Sequence, residues 1–105
     1  MLSDALAVLA SDADSQLRFL EKEGIPECID ELALDYDGIA AASGDMEEKG
    51  EIGKEQRNCV NQLLVFLKQM SGQENRHLWT PESLHSAREW KQVRSMAAEC
   101  LALLR

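Results

Sequence analysis

Apolar residues recur along this chain at spacings of three and four, the period of a helix with one buried face. Leu2, Leu6, Leu9, Ala13, Leu17 and Leu20 form a first stripe. Ser3 is placed to cap its start and Gly24 its end. The stretch "SDADS" (11–15) is where a nearly continuous helix would kink, because Ser11 and Asp14 have capping-box spacing. Ile25, Ile29, Leu32, Tyr36, Ile39 and Ala40 form a second stripe. Pro26 suits its first helical position, where a missing N–H costs nothing, and Gly44 its end. Residues 45–53, "DMEEKGEIG", read as a polar loop.

A third helix is predicted from Lys54 to Met70, stopped by Gly72. Cys59, Val60, Leu63, Leu64, Phe66, Leu67 and Met70 cover more than half of its circumference, with Val65 on the remaining side. So broad an apolar surface suits the central helix. "HLWTPESLHSAREW" (77–90) holds two helix starts. Thr80 caps Pro81, Trp79 is placed to staple onto Leu84, and Ser86 and Glu89 repeat the capping-box spacing. A one-turn helix near 81–85 therefore precedes a long one over 87–104, striped by Trp90, Val93, Ala97, Cys100, Leu101 and Leu104. The expected fold is all-α, one domain over 1–105: an antiparallel bundle of four main helices with a short one-turn helix before the last.

Composition agrees. Ala, Leu, Glu, Gln and Met favour helix, and 105 residues suffice for one core without a metal or disulfide staple. Charge adds more. The net charge is −8. Residues 21–55 hold twelve acids against three lysines, whereas residues 56–105 hold four acids against seven Lys or Arg. Such a field repels phosphate backbones, so neither nucleic acid nor a membrane is an expected partner; a basic protein is. No stretch reaches membrane-spanning length. The opening "MLSDALAVLASDA" faintly resembles a signal peptide, but it lacks a basic start, carries Asp4, and has an apolar run, "ALAVLA", of only six residues. Cys28, Cys59 and Cys100 form no Cys-x-x-Cys pair, and they read as reduced thiols of a cytoplasmic protein, filling gaps beside the apolar stripes.

No candidate chemistry outweighs a structural role. "DADSQLRFLEKE" (12–23) places Asp12, Asp14, Gln16 and Glu23 at calcium-loop positions, but the obligatory glycine is Leu17. Asp35 and Asp37 point about 200° apart on a helix and do not converge. Glu27, Glu31 and Asp35 share a line, but no Glu-x-x-His accompanies them. His77, His85 and Ser83 form neither a metal set nor a triad. No catalytic residue, metal ligand or cofactor is expected, and the chain is read as not an enzyme.

The order "FLEKEGIPECIDELALDYDG", an apolar helix ending "MSG", then "ENRHLWTPESLHSAREWKQVRSMA" resembles small acidic all-helical bacterial proteins of unassigned function, immunity-protein-like in size and charge. The resemblance covers most of the chain, and its motifs are caps and packing positions, so it implies fold rather than activity.

One stretch asks for a partner. With the second stripe buried, Leu34 points almost opposite to it, close to Glu27 and Glu31 and flanked by Asp30 and Asp37. Acidic groups steer a basic partner, and an apolar contact slows its departure. The expected function is a protein-interaction module that neutralises or regulates a basic protein through Glu27, Asp30, Glu31, Leu34 and Asp37. The alternatives are a self-associating structural protein, with Leu34, Val65 and Leu103 covered by another copy, and a carboxylate-dependent metal-binding enzyme.

Overall fold

The first apolar stripe does not run as one helix. The computed structural model describes residues 2–25 and 28–104, and it breaks the stripe at Ser11–Asp12 into α1 (Leu2–Ala10) and α2 (Ala13–Lys22). Asp12 has extended backbone and its carboxylate accepts from the Ser15 N–H at 2.8 Å, so the cap is Asp12 rather than Ser11. That hydrogen bond is the main cause that holds the Asp12 carboxyl below its ordinary range. The break also rotates the buried line. Gln16 is fully buried where Leu17 was expected to lead, and its amide N–H groups cap the free carbonyls of Val8 and Leu9 at the end of α1. Gly24, at φ +78°, closes α2: the Ile25 N–H reaches back to the Leu20 carbonyl at 2.9 Å.

The second expected helix is shorter than its stripe. Helix α3 spans Glu31–Ala40, and Pro26 and Glu27 lie outside the described residues. Gly44 does not end it. A separate helix α4 (Ser43–Glu48) takes up part of the expected loop and carries Gly44 inside it. Arg57 fastens α4 to the next helix through Glu47, at 3.0 Å. Helix α5 (Lys54–Gln69) ends before Gly72, whose φ of +104° is open only to glycine without strain. A 3-10 segment, Gln73–Leu78, follows without having been expected. Then come α6 (Pro81–Ser86), capped by Thr80 accepting from the Ser83 N–H at 3.1 Å, and α7 (Arg88–Leu104). Ser86 caps nothing: its hydroxyl donates to the Glu82 carbonyl within α6.

Among the described residues the fold is thus all-helical, with seven α-helices rather than four plus one. Helices α1, α3, α5 and α7 nonetheless touch in a closed ring, α1 on α3, α3 on α5, α5 on α7 and α7 on α1. Helix α7 packs on both α1 and α5, and α5 on both α3 and α7. Leu6, Leu9, Tyr36, Leu63, Trp90, Val93 and Ala97 fill the shared core. Two of its polar groups bond to backbone: the Tyr36 hydroxyl donates to the Val60 carbonyl at 2.7 Å and the Trp90 indole to the Leu78 carbonyl at 2.6 Å. The radius of gyration, 13.4 Å, matches the roughly 13 Å of a compact chain of this length.

Helices α5 and α7 are also joined covalently. Cys59 and Cys100 form a disulfide, with Cα atoms 5.6 Å apart. The expectation of three reduced thiols fails here, and with it the ground for a cytoplasmic location. Cys28 is the free cysteine among the described residues, and it is exposed rather than filling the core. No helix among the described residues is long and apolar enough to cross a membrane.

Candidate functional site

Helix α3 carries the residues singled out by the sequence. Four of its residues, Leu32, Tyr36 and Ala40 with Ile39 beside them, turn one side to the ring and so fix what the other side shows. Asp30, Leu34 and Asp37 follow at spacings of four and three, one line down the outer side. Asp30 and Glu31 stand at the N-terminal end of the helix, where backbone N–H groups point out and negative charge is favoured. Asp30 makes no side-chain capping bond, so its carboxylate remains turned to solvent. Leu34 is 53% exposed, a value shared by Val65 and unmatched by any other large apolar residue among those described. Glu31 and Asp37 are half-buried, and Asp30 is exposed. Glu27, the remaining member of the expected set, lies outside the described residues.

The tertiary structure adds what the sequence did not show. Leu34 lines two depressions, one between α3 and the turn that follows α5, the other between α3 and α5. One, of about 320 Å³, is lined by Asp30, Ala33, Leu34, Ser71, Gly72 and Trp79. The other, of about 70 Å³, is lined by Ala33, Leu34, Asp37, Leu64, Leu67, Lys68 and Ser71. Lys68 therefore stands on the far wall from Asp37, so the face is not purely acidic. Trp79 is half-buried; its indole N–H donates to the Met70 carbonyl at 2.9 Å, and its ring meets Trp90 edge-on, centroids 5.3 Å apart. The indole wall of the larger depression is thus anchored from behind. No signal in the sequence marked Ser71, Gly72 or Trp79 as neighbours of Leu34, because they lie more than thirty residues away along the chain.

Neither a family model, nor a curated protein, nor a solved structure matches this chain. The chemistry must therefore be read from its own side chains.

The other sequence candidates are dispersed. Asp12 is engaged as a cap, Gln16 is turned into the core, and residues 13–22 are helical, so the calcium-loop spacing does not wrap an ion. Asp35 faces away from Asp37, toward α1. His85 lies 3.4 Å from Asp14, both largely exposed, and His77 accepts a hydrogen bond at its backbone carbonyl from the Ser83 hydroxyl. Among the described residues no three His, Cys, Asp or Glu side chains converge on a position that would hold a metal ion.

Proposed function

We propose that the chain is a non-enzymatic interaction module that docks a basic protein through α3, neutralising or regulating it, in the manner of the immunity proteins it resembles in size and charge. The observation that carries this reading is Leu34: a large apolar side chain, half in water, with Asp30, Glu31 and Asp37 around it and two depressions beside it. Carboxylates at the rim speed encounter with a cationic surface, and burial of Leu34 with its neighbours supplies the apolar contact that holds it. The test is a partner captured by the native protein and then titrated against Leu34→Arg. Affinity is expected to fall at least about tenfold, the factor of roughly 1.4 kcal/mol that loss of one buried anchor commonly reaches. The thermal midpoint should barely move, since Leu34 contributes little to the core. Unchanged affinity would remove α3 as the docking face.

A second reading draws on Val65 and Leu103, 53% and 43% exposed on α5 and α7. If a second copy covers them with Leu34, the protein sediments as a concentration-dependent dimer. A docking module awaiting a basic partner sediments as a monomer throughout.

A further inference from the structure

On the flank of α3 opposite Leu34 lies a separate cavity of about 340 Å³, lined by Asp4, Ala5 and Val8 of α1, Phe19 of α2, and Leu32, Asp35 and Ile39 of α3. Phe19 reaches it from α2, past the break at Ser11–Asp12. Leu32 is buried and forms the floor, Ala5, Val8, Phe19 and Ile39 are half-buried walls, and Asp4 and Asp35 are exposed at the mouth. The volume falls at the small end of the roughly 300–1,000 Å³ typical of small-molecule sites, and the pattern is the usual one, apolar walls with a few polar groups.

We propose that this cavity binds a compact organic cation with an apolar body, of the arylalkylammonium class. The walls are hydrocarbon and accept an uncharged ring or chain. The charged group that α3 brings to the mouth is the Asp35 carboxylate, and among the described residues no Lys, Arg or His side chain lines the cavity to welcome an anion. The acidic balance of the whole chain, −8, favours the same sign of ligand. A phenyl ring within reach adds attraction for an ammonium group. The inference stands on α1, α2 and the Asp35 flank of α3, and it does not depend on docking through Leu34.

The probe is 2-phenylethylammonium, titrated into the full chain and followed by amide chemical shifts, with 2-phenylethanol as its uncharged counterpart. Saturable shifts at Ala5, Val8, Phe19 and Ile39 are expected from the cation in the millimolar range, and weaker ones from the alcohol. Asp35→Asn should weaken the cation about two- to fivefold, the size of an exposed ion pair, and leave the alcohol unaffected. Asp35→Lys should remove saturation by the cation; Leu34→Arg should change nothing. Asp35 is exposed, so these variants keep the fold, which circular dichroism verifies. Equal binding of cation and alcohol, indifference to both Asp35 variants, or shifts confined to another face would each overturn the proposal.

Discussion

Tyr36 shows how one side chain ties stability to pH. Burial pushes its phenol well above the ordinary tyrosine value, because the charged form would lose its hydration inside the ring of helices. Its folded pKa is raised, so this contribution is complete below the unfolded value near 10 and is lost as pH climbs from there toward the folded pKa. Stability should therefore decline above about pH 10, and Tyr36→Phe should flatten that decline while lowering neutral-pH stability by about 0.5–1.5 kcal/mol for the lost bond to the Val60 carbonyl. Urea unfolding at pH 7 and pH 10.5 measures both; an equally steep alkaline decline in the variant would refute the assignment. Asp12 acts in the opposite sense. Its pKa is depressed by the cap, so its contribution is present above the ordinary carboxylate range and fades as pH falls through the folded value. Asp12→Ala should unfold at a lower temperature at pH 7 and differ less from the native protein at pH 2.5. A difference that grows in acid would contradict the cap.

At the scale of elements, the places where helices stop matter more than where they run. Thr80 holds the start of α6. Thr80→Ala should cost about 0.5–2 kcal/mol, measurable by chemical denaturation, whereas Ser86→Ala should cost far less because Ser86 caps no helix. The reverse order would restore the second capping box read from the sequence. Gly72 turns the chain out of α5 with backbone angles that side chains rarely adopt. Gly72→Ala should lose about 1–3 kcal/mol, although there is open space for the added methyl group. Near-neutrality in the same assay would place the turn in an ordinary conformation. These boundaries were only partly legible. Gly24, Gly72 and Thr80 were read correctly because their geometry is local. The stretch 11–15 was marked as the place of a kink, but it is a full break capped by Asp12 rather than Ser11, and the helix over Ser43–Glu48 was missed because a glycine inside a helix looks much like a glycine in a loop.

For the whole molecule, the Cys59–Cys100 link joins α5 to α7 across 41 residues of chain. Closing a loop of that length removes enough unfolded-state freedom to be worth about 4 kcal/mol. Native oxidised protein should show one reactive thiol, Cys28, and reduction should lower the free energy of unfolding by several kcal/mol. Three thiols titrating in unreduced protein, or no change on reduction, would sink the link. The acidic docking face belongs to this scale too. Asp30, Leu34 and Asp37 lie on one line because of helical period alone, but the depressions beside them and the opposing Lys68 exist only because α5 lies against α3.

The sequence by itself determined that the chain is helical, which side of α1, α3, α5 and α7 is apolar, and that Leu34 faces water among carboxylates. Those properties repeat every three or four residues and require no knowledge of distant partners. Only the tertiary structure decided that Cys59 meets Cys100, that α7 lies between α1 and α5, and that Asp4, Phe19 and Asp35 surround one cavity. Each of these joins residues separated by many turns of chain, and their meeting depends on how the helices pack rather than on any local pattern.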